Sequence, residues 1–315
     1  MTTRRTMSPA RAARTHGIKL AIAFATLYIV WGSTYLAIRI GVQSDLPPAL
    51  FGGLRLVPAG LILLGMARLR GTPLRVSRRD LKTTAVVGIL LLCGGMYFTF
   101  LAEQYIPSGL AALVVALLPL WTAAAEWVSP DMERPGPLGL AGLVIGFCGL
   151  ALLLWPRLTG LSGGSDELLG VGLQIVGTWL WTGGSVYSKR HPVRANAVVV
   201  TGYEMLIAGL VLLAWGTVLG EWPRMAAVNV TGFGALAYLI LAAAVAFTAF
   251  VWALRNAPAS RVMTYAFVNP VVAVFLGWLV LREPVDAWVF AGMTVIVAGV
   301  ALATLAPTRP PRHAV

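Results

Sequence analysis

The second half of the chain repeats the first about 150 residues on, and each half carries an odd number of membrane-length apolar segments. Gly32–Tyr35 (GSTY) returns as Gly184–Tyr187 (GSVY), and Ala59–Leu64 (AGLILL) returns as Ala208–Leu213 (AGLVLL). Pro107 and Pro119 match Pro258 and Pro270, and Ala141-Gly142 with Gly149 matches Ala291-Gly292 with Gly299. The offsets are 152, 149, 151 and 150 residues, too even for chance likeness among apolar stretches. A half with an odd number of spans begins on one side of a bilayer and ends on the other, so its copy must insert upside down. Inverted repeats possess two nearly equivalent packings that open a central site to opposite faces in turn, which is the architecture of secondary transporters.

Composition supports a membrane location. Hydrophobic residues make up 58% of the chain, charged residues 11%, and the mean hydropathy is +0.81. A soluble domain carries roughly 25% charge. Helical spans need about 20 apolar residues each, and ten candidates fit: 18–38, 48–67, 83–102, 108–126, 136–155, 168–188, 198–218, 231–252, 261–281 and 286–305. The expected fold is an all-α membrane protein, with ten transmembrane helices in two inverted five-helix repeats. Its parts are a basic N-terminal tail (1–17), a first repeat (18–155), a Gly/Ser-rich linker (156–167), a second repeat (168–305) and a C-terminal tail (306–315).

The formal net charge of +12 suggests nucleic acid until the basic residues are placed. With a cytoplasmic N-terminus, 19 of the 24 Lys and Arg fall on the inside and 4 (Arg39, Arg157, Arg224 and Arg282) on the outside, with Arg55 inside a span. That asymmetry follows the positive-inside rule and predicts both termini in the cytoplasm. The loop around Asp131 and Glu133 has only Arg134, but acids weigh little in the rule. The basic start before an apolar stretch resembles a signal peptide; cleavage would strip span 6 of its repeat partner, so an uncleaved first helix is expected. Cys93 and Cys148 lie within spans and read as packing residues.

Four segments carry a family likeness: Tyr28–Val42 (YIVWGSTYLAIRIGV), Gly53–Gly60 (GLRLVPAG), Ile106–Leu120 (IPSGLAALVVALLPL) and Tyr265–Pro284 (YAFVNPVVAVFLGWLVLREP). Through them the chain resembles the EamA family of the drug/metabolite transporter superfamily over nearly its whole length. The resemblance implies the same ten-helix inverted-repeat fold around a central cavity. It also implies export of amino acids, related metabolites or drugs from the bacterial cytoplasm.

An ionisable group in hydrocarbon is costly and points to function. Arg55 in span 2 and Glu204 in span 7 are such groups and are repeat counterparts, each four residues before its Ala-Gly pair. Depth counting separates them by roughly 8 Å at about 1.5 Å per residue. They are therefore expected either to pair structurally or to bracket a zwitterion, with Glu204 also a candidate proton carrier. Pro119 and Pro270 fall near mid-membrane in spans 4 and 9, where a freed carbonyl suits a cavity or kink. Asn269 and Tyr265, one turn apart, add a donor-acceptor patch. Trp31, Thr34 and Tyr35 share a face of span 1, echoed by Trp181 and Tyr187 in span 6, with Tyr97 similar in kind; cavity lining competes here with interfacial belts. Gly139, Gly142, Gly146 and Gly149, with Gly292 and Gly299, read as close helix packing.

The expected partners are a small-molecule substrate and the lipid bilayer, with protons a candidate coupling ion and no nucleic acid. No cofactor is expected. An embedded enzyme is the rival from another class, but His16, His191 and His313 all lie outside the spans and no metal-ligand spacing occurs. A channel or facilitator is the remaining alternative; it predicts a pore ring rather than an inverted repeat. Reporter fusions should place Met1 and Val315 in the cytoplasm and the loop near Arg157–Glu167 in the periplasm. A periplasmic C-terminus would mean a miscounted span.

Overall fold

The computed structural model describes residues 9–128, 134–159, 164–256 and 265–309. The start of the basic tail, the loop with Asp131 and Glu133, residues 160–163, Pro258 with Arg261, and the last six residues lie outside them. Helix α1 runs over residues 9–43, with a π turn at Leu27–Trp31, so it begins inside the expected tail. Then come α2 (Pro48–Leu69) and α3 (Arg78–Ala102, with a π turn at Ile89–Gly95). Helix α4 is split into Ser108–Val115 and Leu118–Val128, and α5 is Pro137–Leu158. The second half holds α6 (Ser165–Arg190), α7 (Ala197–Val218), α8 (Val230–Asn256), α9 (Tyr265–Leu281) and α10 (Ala287–Leu305). A two-residue antiparallel pairing joins Arg134 to Arg309 and Pro135 to Thr308. Among the described residues, seven segments are long and apolar enough to cross a membrane, and Val268–Leu281 and Ala287–Ala303 are shorter apolar helices.

Local signals account for the helix limits. Ser77, Asn196 and Asp286 accept from Asp80, Val198 and Val289 N–H, capping α3, α7 and α10. Pro48 and Pro137 open α2 and α5, where the missing N–H has no intrahelical acceptor anyway. Pro119 interrupts α4: the helix stops at Val115 and resumes at Leu118. Pro270 instead stays within a continuous α9.

Consecutive helices reverse direction, which gathers the turns at two ends. The acidic end carries Asp45, Glu103, Glu221, Glu283 and Asp286; the basic end carries Arg70, Arg75, Arg78, Arg79, Lys189, Arg190 and Arg194. Between the ends, helices meet in antiparallel pairs through glycines. In α2/α7, a Cβ at Gly60 would lie 2.8 Å from Gly202 O, and one at Gly53 2.9 Å from Gly209 O. In α5/α10, a Cβ at Gly142 would lie 2.5 Å from Ala303 N and one at Gly149 2.7 Å from Ile296 N. Gly95 and Gly177 bring α3 onto α6, Ser33 bonds the Tyr238 hydroxyl between α1 and α8, and Gly109 seats α4 on Val274 of α9. The pairs α2/α7, α4/α9 and α5/α10 thus join a helix to its own repeat copy, while the repeat exchanges α1/α8 with α6/α3. A pseudo-two-fold axis in the membrane plane generates this pattern.

Lipid supplies no hydrophobic drive between helices, so close van der Waals contact carries their association. Replacing Gly60 or Gly142 by valine sets a side chain against backbone that cannot yield, and should cost about 1–3 kcal/mol or more. Melting of the purified protein in detergent checks this. Gly65→Ala, where nothing lies within 4 Å, should leave the melting temperature unchanged or slightly raised.

Candidate functional site

Polar groups without partners concentrate where α1, α2, α9 and the turn after α3 converge. Arg55 is 6% exposed, and its Nε and Nη1 have no hydrogen-bond acceptor. Glu103 is fully buried, and both of its carboxylate oxygens lack a donor. Tyr35 and Glu103 are the ionisable neighbours of Arg55, and Tyr35 in turn senses Glu103, Tyr265 and Arg55. One turn along from Tyr265, the Asn269 Oδ1 is buried and unpartnered, while its backbone carbonyl lies against Gly32 of α1. Burial pushes the Glu103 carboxyl well above the usual carboxylate range; Arg39 opposes this, Glu283 adds to it and Arg55 opposes it. Arg55 and Glu103 are a buried cation and a buried acid that both keep free hydrogen-bonding atoms. Chemically, the Arg55 nitrogens can donate to an anionic group and the Glu103 carboxyl can take a cation or a proton.

The cluster is covered on both sides. Toward the acidic end, Arg39 Nη1 donates to the Glu103 carbonyl, and Glu283 is bound to the start of α4. Toward the basic end lies an aromatic layer: Trp31 meets Tyr265 edge-on at 4.7 Å and Phe250 at 5.4 Å, and Phe250 meets Tyr265 at 6.1 Å. Beyond that layer a cavity of about 490 Å³ is lined by Lys19, Thr26, Met66, Arg70, Thr248 and Trp252, among others. Met66 and Arg70 follow Arg55 by 11 and 15 residues on one side of α2, which sets them roughly 16 and 22 Å along the axis. The π turn in α1 inserts one residue between the cavity-lining Lys19, Ala23 and Thr26 and the site residues Thr34 and Tyr35.

Of the residues singled out in the sequence, Trp31, Tyr35, Arg55, Tyr265 and Asn269 come together. Thr34 is adjacent in α1, but its hydroxyl donates to Trp31 O at 2.6 Å within the helix. Glu204 does not join them. The side of α7 facing α2 is taken by Gly202, Met205, Gly209 and Leu212, so Glu204 turns to α3, with its carbonyl oxygen 2.8 Å from where a Gly88 Cβ would be. The expected neighbourhood of Arg55 and Glu204 is therefore not formed among the described residues. Tyr97 packs against the apolar cluster that α2 and α7 build, Trp181 covers Gly95, and Tyr187 stacks on His191 at 4.2 Å near the end of α6. Glu103 was missed because an acid just past an apolar span reads as a solvated helix end. The one available hint was a second charge, Arg39, ending the first span on the same side.

Among the described residues, antiparallel helix pairs related by an inverted repeat enclose a charged centre, the arrangement of the two-repeat helical class of transporters. A profile of the EamA-like transporter family matches residues 18–155 and again 168–305. The chain belongs to that family. It is 38% identical over 287 residues to the uncharacterized inner membrane transporter YedA of Escherichia coli K12, covering 90% of each chain. It is 23% identical to the uncharacterized transporter YoaV of Bacillus subtilis, over 93% of this chain and 99% of that one. A solved crystal structure 22% identical to this chain shares the fold, with a TM-score of 0.64 over 91% of this chain and 97% of the other.

Stability cycles separate the two acids. Arg55→Met and Glu204→Gln should add within about 0.3–0.5 kcal/mol, as distant sites do. Arg55→Met with Glu103→Gln should depart from additivity by about 0.5–3 kcal/mol. Equal coupling in both cycles would contradict this arrangement.

Proposed function

We propose that the protein is a secondary transporter with ten spans, exporting small metabolites such as amino acids or drug-like compounds by alternating access. The observation that carries this reading is the buried Arg55 guanidinium with two free nitrogens, beside an equally unpartnered Glu103, at the centre of an inverted repeat. Binding at such a point is favoured in either of two packings, so one site serves both faces. The basic asymmetry of the loops assigns the basic end, with Lys19 and Arg70 at the cavity mouth, to the cytoplasm and the acidic end to the periplasm. In that orientation the cavity is the cytoplasmic approach and the Trp31–Phe250–Tyr265 layer is the inner barrier. Arg55 anchors an anionic group of the substrate, and the Asn269 carboxamide and the Tyr35 and Tyr265 hydroxyls orient the rest. Glu103 or Glu204 carries a proton if transport is coupled to the proton gradient.

Thermal-shift screening of the purified protein against amino acids, other metabolites and cationic drugs identifies a ligand, and efflux from loaded vesicles tests it. Asn269→Leu should then lower transport at least tenfold while the melting temperature stays near that of the parent. Parallel loss of folding and transport would make the amide a packing group instead.

A further inference from the structure

Helices α7 and α9 both end at the acidic end in the same way. A residue with positive φ (Gly220 at 67°, Arg282 at 55°) turns the chain, and a glutamate follows directly. The amide of that glutamate folds back on a glycine carbonyl of its own helix: Glu221 N donates to Gly216 O at 2.9 Å, and Glu283 N to Gly277 O at 3.1 Å. The same glycines leave room for the carboxylate, which a Cβ at Gly277 would strike and one at Gly216 would meet at 3.1 Å. Each carboxylate then caps the N-terminus of the partner helix. Glu221 accepts from Leu50 N at 2.9 Å and Ala49 N at 3.4 Å on α2. Glu283 accepts from Ser108 N at 2.8 Å, Ser108 Oγ at 2.9 Å and Gly109 N at 3.1 Å on α4.

Their surroundings separate the two caps. Glu221 is 5% exposed and joins helices that approach backbone to backbone at successive glycines along their length. Glu283 is only partly buried, and α4 beyond it is already broken at residues 116–117, ahead of Pro119. Glu283 also adjoins the transport cluster, since its charge acts on Glu103. The basic end lacks one counterpart of this device. Gly71 (φ 73°) matches Gly220 at an offset of 149, and Thr72 N folds back on Ala67 O at 2.9 Å, but a threonine stands where α7 has Glu221.

We propose that Glu283 is the latch of the outer gate. Its carboxylate holds the start of α4 against α9 while the acidic end is closed, and lets go when that end opens. Glu221 is a fixed clasp that stays made throughout the cycle. Both ends of the released bond find replacements, because the half-buried carboxylate rehydrates and the amides of the first helical turn become accessible to water.

The inference rests on the transporter reading, but its test needs no substrate. In a background with Cys93 and Cys148 changed to alanine, a single cysteine replaces Ala112. Ala112 is 1% exposed and lies one turn below Ser108 on the same face. Right-side-out and inside-out membrane vesicles are treated with a membrane-impermeant maleimide, and the labelling rate is followed. Glu283→Gln should raise labelling from the acidic end at least fivefold, and Ser108→Ala, which removes one of three contacts, by a smaller factor; Glu221→Gln should not raise it. An unchanged rate in both Glu283→Gln and Ser108→Ala overturns the latch, as does an equal rise in Glu221→Gln. Which vesicle orientation labels reports separately on the orientation of the chain. Melting temperatures confirm that each variant is folded, and Ser108→Ala decides the matter alone if Glu283→Gln is not.

Discussion

Backbone approaching backbone at glycine is the contact on which the rest of this structure depends. Lipid cannot hydrogen-bond an exposed amide, so the chain is confined to helices, and helices in lipid adhere only as closely as their surfaces permit. Gly53, Gly60, Gly202 and Gly209 bring α2 onto α7, and Gly142, Gly149, Gly292 and Gly299 bring α5 onto α10. These two pairs have no slack. The junctions of α4 with α9 and of α1 with α8 and α9 are less extensive, and these surround the charged cluster.

This division places the electrostatic burden. Arg55 projects from the closely packed α2/α7 pair, whose glycines bring backbone against backbone on either side of it. Glu103 lies on the turn between α3 and α4, beside elements that are less firmly seated. An anionic group proposed to reach Arg55 would meet a cation set on a closely packed helix pair and an acid set on an interhelical turn. Differential interaction of this kind is what any ligand needs in order to shift a conformational equilibrium.

Much of the architecture was legible in the residues because inversion leaves a numerical trace. Three of the four offsets near 150 linked helices that the structure pairs antiparallel, α2 with α7, α4 with α9 and α5 with α10, while the fourth linked α1 to α6, which pair instead with α8 and α3. Arg55 stood out as a charge amid apolar neighbours. Glu204 stands out equally in the sequence, as an ion-pair partner of Arg55 or as the other half of a zwitterion site, yet equivalence by repeat fixes depth and not azimuth; Gly202 and Gly209 claim the α2-facing side of α7. Phe250 carried no signal, since a phenylalanine in an apolar run looks the same in a plug as in a lipid-facing surface. Glu103 was hidden by its place at a helix end, because its burial is imposed by α1 through Arg39 and by the following turn.

The π turn at Leu27–Trp31 adds one residue to α1 without adding a turn. An α-helix advances about 100° per residue, so the insertion sets the azimuth of everything after it relative to everything before. Ala23 and Thr26 line the cavity, and Trp31 and Tyr35 reach the barrier and the cluster, only because this extra residue re-aims the second half. A one-residue deletion there would barely shorten the helix and would preserve its apolar character, yet it would turn Trp31, Thr34 and Tyr35 away from Arg55 together. A change of length by one residue within α1 thus re-aims a whole face of a helix that would still be long and apolar enough to insert.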